Sequence, residues 1–272
     1  IAAAREQFNV IVGDLFLPWG AGEARVYARE HFADVRRALK PQGIFCQWLA
    51  MYQLTPRQFE VISDTFASTF GRVHLFRSTL DTTSPAIALV GFRDGDLDWD
   101  LLARRCAEDA GAVLSNDPLM QHLEGLQMLY LGVQEPTPEA KQRPLNTLDN
   151  LWVELDAGRE RVTGDPGSKY YFGTRWIEFL RKRLEYLNAS GPRRDVADHV
   201  ALGLRISDWH LRHTRRLETA QNERSGIIER LPELIKSAAR SESSLWPIGR
   251  QLLEDSLVRS QNPILPGERQ ER

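Results

Sequence analysis

The segment Asn-Val-Ile-Val-Gly-Asp-Leu-Phe-Leu-Pro-Trp-Gly, from Asn9 to Gly20, constrains the fold more than any other stretch of the chain. Residues 9–13 are nearly all apolar and do not alternate, the pattern of a strand covered on both faces of a parallel sheet. The run ends on a carboxylate, Asp14, and breaks at once into a turn carrying Pro18 and Gly20. Ligands of open α/β sheets bind in the crevice outside the carboxyl ends of the strands. An acid at that tip is therefore a candidate catalytic or binding group, set against the plainer reading of a turn-capping aspartate. A strand of this kind belongs to the middle of a nucleotide-binding domain, so the sequence is expected to start partway through one.

From Asn9 to Phe92 the pattern is that of half a doubly wound sheet. Residues 24–39 place Val26, Tyr27, Phe32, Val35, Ala38 and Leu39 near helical spacing, and Lys40-Pro41-Gln42-Gly43 reads as the helix stop. Ile44 to Leu49 is the second strand. Thr55-Pro56 opens another helix, with Thr as N-cap and Pro as first helical residue. Val73 to Ser78 and Ala86 to Phe92 are two further strands joined closely enough for an antiparallel pair. Residues 94–135 read as helical, Leu151 to Leu155 as a short edge strand, and residues 158–173 as a polar linker. Beyond it, apolar faces recur around Trp176 to Leu187, Val196 to Leu211, Ile227 to Ile235 and Ile248 to Leu257, which suggests stacked helical hairpins. The expected division is a partial α/β domain over 1–157 and an α-helical region over 174–260.

Composition removes several function classes. Thirty-five Lys+Arg against 37 Asp+Glu give a formal charge of −2, so no global field favours nucleic acid. The arginines from Arg193 to Arg216 are interspersed with Asp195, Asp198, Asp208 and Glu218, the pattern of a solvated, salt-bridged helix face. No apolar run reaches the roughly 18–20 residues that a spanning helix needs. Two distant cysteines, Cys46 and Cys106, fit a reducing compartment, and a cytoplasmic location is expected. His199, His210 and His213 lack the carboxylate or thiolate that would complete a metal set, so no metal is expected. No Gly-x-Ser-x-Gly sequence supports a hydrolase.

The order and spacing of several short motifs carry a resemblance. They are Asp14 to Gly20, Tyr27 with Glu30-His31-Phe32, Phe45 to Leu49, Met51-Tyr52-Gln53-Leu54, Ser84-Pro85 before the last strand, and Asn146-Thr147-Leu148-Asp149. Together they resemble the spermidine synthase (polyamine aminopropyltransferase) family, in particular bacterial spermidine-synthase-like members fused to other segments, some of them membrane segments. The resemblance implies the C-terminal half of a class I methyltransferase-like (Rossmann-like) sheet with an antiparallel final hairpin, followed by an α-helical tail. It implies decarboxylated S-adenosylmethionine, or S-adenosylmethionine in divergent members, as co-substrate, a small-molecule amine as acceptor, and a homodimer as a common assembly. The family's catalytic aspartate falls on Asp14. Asp14, Leu15 and Pro18 fall on the cofactor side, and Gln47 and Tyr27 on the substrate side.

Chemistry agrees with a carboxylate in that role. An amine nucleophile is protonated at neutral pH and must lose its proton before attacking carbon; a strand-tip carboxylate can take that proton and hold the cation. Two departures stand out. Leu17 occupies the place of a second aspartate that helps to bind the diamine in polyamine-forming members. The glycine-rich first turn and the ribose-binding acid have no counterpart in the sequence. Three expectations therefore stand side by side: an aminopropyltransferase-like enzyme, an S-adenosylmethionine-dependent methyltransferase, and a non-catalytic fragment or helical interaction module.

Overall fold

Alternating apolar runs and amphipathic helices build one mixed sheet. The structure is a computed structural model that describes residues 6–80, 82, 84–113, 123–134, 143–163, 170–190 and 194–219. Strand β1 (Phe8–Gly13) leads through a short 3-10 turn (Glu23–Tyr27) into helix α1 (Arg29–Ala38) and strand β2 (Leu39–Ala50). Helix α2 (Pro56–Phe70), strands β3 (Val73–Arg77) and β4 (Ala86–Phe92) and helices α3 (Trp99–Val113) and α4 (Leu123–Leu129) come next. Strand β5 (Tyr130–Gln134) and helices α5 (Trp152–Thr163), α6 (Gly173–Ala189) and α7 (Arg194–Thr219) complete the described residues. The strand order is β1-β2-β4-β3-β5. β1 and β2 are parallel, whereas β4 runs antiparallel to β2 and β3, and β5 antiparallel to β3. The chain is thus an α/β protein with a mixed five-stranded sheet, compatible with a Rossmann-like fold.

The helix signals in the sequence act as written. Thr55 forms a full capping box: its hydroxyl accepts the Gln58 N–H, and the Gln58 side chain accepts the Thr55 N–H at 3.0 Å. That cap fixes where α2 starts and so where Phe59, Ile62, Phe66 and Phe70 meet the sheet. Phe66 stacks on Phe45 of β2 at 5.4 Å and meets Phe32 of α1 edge-on at 5.0 Å. α6 joins the same core, with Trp176, Ile177 and Leu180 buried in the cluster that holds Leu75 and Phe45.

Several expectations are corrected. β1 is not covered on both faces: Val10 and Val12 on one face are 56% and 60% exposed, and no described strand pairs with its outer edge. The helix does stop before Lys40, at Ala38, but Lys40 to Gly43 lie inside β2 as a bulge; the register jumps from Phe8↔Leu39 to Val10↔Ile44, and Gln42 takes φ of 63°. Tyr130 to Gln134 are a strand, not the end of a helix. Residues 151–155 contain no strand, because α5 begins at Trp152 and runs through residue 163, six residues into the expected linker. The helices expected around 227–235 and 248–257 lie outside the described residues.

Candidate functional site

The parallel register sets Gly13, the last residue of β1, beside Gln47 of β2. The Gln47 amide fills the space that a Gly13 side chain would take, so a Cβ there collides with it. Its Nε2 donates to the Asp14 carbonyl at 2.9 Å and to the Trp48 carbonyl at 3.0 Å. Both nitrogen protons are therefore committed, and the buried Oε1 has no hydrogen-bond partner among the described residues. Gln47 is fully buried. It holds the main chain at Asp14 instead of lining open space.

Asp14 itself is exposed. Its Oδ1 accepts the next backbone N–H, that of Leu15, at 2.7 Å, which turns the carboxylate across the strand tip and leaves the rest of it to solvent. Leu15 and Leu17 beside it are 43% and 41% exposed, while Pro18 is buried and fixes the turn that Gly20 N–H closes onto the Leu17 carbonyl at 3.1 Å. Tyr27 is also buried, donating to the Phe16 carbonyl at 3.2 Å; burial, then the neighbouring Glu23 charge, pushes its phenol well above the ordinary range despite that bond. The structure therefore places Asp14 and Leu15 on the surface of the tip, and Gln47, Tyr27 and Pro18 beneath it as its frame.

The rest of the frame comes from residues to which the sequence attached no role. Glu23 accepts the Leu17 N–H at 2.8 Å, and Glu154 of α5 accepts the Gly22 N–H at 2.9 Å. Asn146 is fully buried, donates to the Ala24 carbonyl at 2.9 Å and accepts the Val153 N–H at 3.1 Å, while its own carbonyl accepts the Arg29 N–H at 2.9 Å. One residue thus ties the 3-10 turn, α1 and α5 together. The Asn146-Thr147-Leu148-Asp149 motif was the visible signal. What it braces lies more than a hundred residues earlier and could not be read from spacing.

An adenosyl sulfonium compound meets only one wall here. Asp14 and Leu15 flank the tip, but no described residue stands across the outer edge of β1, and the described residues do not by themselves enclose such a group. Among the described residues no group of three or more His, Cys, Asp or Glu is placed to hold a metal ion, and no helix is long and apolar enough to cross a membrane. Cys46, on β2, is part-buried, and burial pushes its thiol up to about 11, so it stays protonated and unreactive at neutral pH.

No protein-family model, no curated protein and no solved structure matches the chain.

Proposed function

We propose that the chain is the C-terminal part of a spermidine-synthase-like transferase in which Asp14 anchors and deprotonates an amine. The observation that carries this reading is the strand tip. An exposed carboxylate ends a parallel strand, a fully buried Gln47 holds its main chain, and Glu154 and Asn146 hold Gly22 and Ala24 in the turn that follows. A general base must reach its substrate and keep its geometry, and this arrangement does both. An ammonium substrate pairs with Asp14, loses a proton to it and is left as a free amine aimed along the tip. The co-substrate implied by the resemblance, decarboxylated S-adenosylmethionine, supplies the electrophilic carbon when bound.

The open outer edge of β1 supports the partial character of the site. β1 ends the strand order next to a parallel neighbour, so its outer backbone groups suit a further parallel strand, and its exposed Val10 and Val12 suit a helix packed on that face. In this reading the remaining cofactor contacts come from the segment that docks there. Leu17 favours a second reading, methyl transfer from S-adenosylmethionine on the same sheet, because an exposed apolar side chain offers a diamine's distal ammonium no partner.

The test is Asp14→Asn in protein that carries the β1-docking segment, assayed with each co-substrate and an amine panel. Turnover is expected to fall about 10²–10⁴-fold, the usual contribution of general acid–base catalysis, with the unfolding midpoint unchanged. Activity with only S-adenosylmethionine selects the methyltransferase. Unchanged turnover removes Asp14 from the chemistry, and no turnover with either co-substrate leaves the non-catalytic reading.

A further inference from the structure

A second polar constellation lies toward the opposite edge of the sheet, on β3 and β5, three to four strand spacings or about 14–19 Å from β1. His74 of β3 is buried between two partners. Its Nε2 lies 2.5 Å from Asp96 Oδ1 and its Nδ1 lies 3.0 Å from the Tyr130 hydroxyl. Asp96 also accepts the Leu97 N–H at 2.9 Å and pairs with Arg72. These groups form the polar corner of a cavity of about 430 Å³, within the size range of small-molecule sites. Leu97, Val133, Leu187 and Val196 supply its apolar walls, and the amphipathic rings of Trp99 and Tyr186 complete them, with Trp99 edge-on to Tyr130 at 5.2 Å.

The direction of each proton in this corner follows from the charges. Burial works against ionisation of Asp96, but the His74 and Leu97 hydrogen bonds and the Arg72 charge hold it below the ordinary carboxylate range. Burial pushes His74 down, beyond what Asp96 restores, which favours the neutral imidazole at neutral pH. A neutral imidazole facing a carboxylate carries its proton on Nε2, which leaves Nδ1 as a lone pair. The Tyr130 hydroxyl must then donate to Nδ1. Burial keeps that phenol protonated, so its proton is committed and its oxygen presents only acceptor lone pairs to the cavity. Ser190 is in the same position, since its hydroxyl donates to the Tyr186 carbonyl at 2.8 Å.

Tyr130 and Ser190 thus present acceptors, while Arg72, Trp99 and Tyr186 of the same lining carry N–H or O–H groups, so a ligand hydroxyl, which both donates and accepts, suits the corner. A cation is disfavoured by Arg72 at the corner and by the Arg183 guanidinium 5.0 Å from the Tyr186 ring, whose described partners are all neutral oxygens. An anion meets Asp96. We propose that this cavity is a second small-molecule site, distinct from the strand tip, for a neutral, flat, apolar compound bearing a hydroxyl group of the phenol class, whose O–H donates to Tyr130 Oη.

The test titrates the full chain with four compounds of one shape: p-cresol, toluene, p-toluate and p-methylbenzylamine. Binding is followed by ligand-detected nuclear magnetic resonance and mapped through backbone amide shifts. p-Cresol is expected to bind at least about tenfold more tightly than the other three, the worth of one well-made hydrogen bond in a desolvated site. The shifts should centre on Val133 and Ser190. Tyr130→Phe should erase the difference between p-cresol and toluene, and Val133→Trp, which fills the cavity while leaving the polar corner intact, should abolish both. Equal affinity for p-cresol and toluene, preference for the acid or the amine, binding that survives Val133→Trp, or no shift at millimolar p-cresol overturns the proposal.

Discussion

The two edges of the sheet are built on opposite terms. At the β1 edge the described residues leave apolar side chains and a row of backbone groups open, and buried polar contacts hold one strand tip in place. At the β5 edge α6 and α7 pack on the strand, and a buried and a half-buried arginine stand without a carboxylate partner among the described residues. Arg77 is fully buried; its Nη2 and Nη1 donate to the Met128 carbonyl and the Ser207 hydroxyl at 2.7 and 2.8 Å, and burial alone pushes it down to about 9. Arg183 donates to the Leu131 and Val133 carbonyls at 2.9 and 2.7 Å. Cations held by backbone carbonyls and a hydroxyl staple helices to the sheet. The contrast teaches that, among the described residues, the β5 edge is packed by helices of this chain whereas the β1 edge is left open.

The largest expected effect separates the edges by burial. Leu131→Lys puts an ammonium into the core beneath β5 and should cost about 4 kcal/mol or more, while Val12→Lys on the open edge should change stability by no more than about 0.5 kcal/mol. Urea unfolding of both variants measures the gap, and equal costs would break the comparison. Glycine replacement gives a smaller difference. A Cβ at Gly203 of α7 meets the Arg77 guanidinium and the Met128 carbonyl, one of them rigid backbone, whereas a Cβ at Gly13 meets only the Gln47 side chain. Gly203→Ala is therefore expected to cost about 2–3 kcal/mol and Gly13→Ala about 1 kcal/mol less, with the same unfolding experiment deciding the order.

The smallest effect is the pH dependence of the closed edge. The pKa of His74 is lowered in the folded protein by burial from an ordinary value of 6.5, so the unfolded chain binds more protons below that value. Stability contributed by His74 is thus present above its unfolded pKa and is lost as pH falls toward its folded one. His31, lowered for the same first reason, adds to the slope. From about pH 7.5 to about pH 5.5 the midpoint should fall, and His74→Gln should flatten but not abolish the trend. An unchanged slope in His74→Gln would remove this histidine from the balance.

How much of this was legible in the sequence follows the same division. β2, β3, β4, α2 and the antiparallel hairpin were readable because turn residues bound each apolar run and Thr55-Pro56 marks a helix start. β5 was not, since Leu123 to Gln134 is one continuous apolar-rich stretch with no breaker between Leu129 and Tyr130, and periodicity cannot divide such a run. The exposure of β1 was illegible for a different reason. An apolar strand states that it suits burial, not that a neighbour is present. At the tip, Asp14 was legible as an acid after a strand, but the inward orientation of Gln47 and Tyr27 depends on packing that only the fold supplies. His74, Asp96 and Tyr130 lie too far apart in sequence for any motif to join them.

Hydrogen exchange across the sheet tests the difference between the edges most directly. Amides of β1 whose N–H groups face away from β2 should exchange within the dead time of the experiment, while those of β5 and β3 should be protected to nearly the global unfolding free energy. Equal protection of the outward-facing β1 amides and of the amides that pair β3 with β4 would show that the β1 edge is already covered, and would contradict the account of an edge open to a further strand.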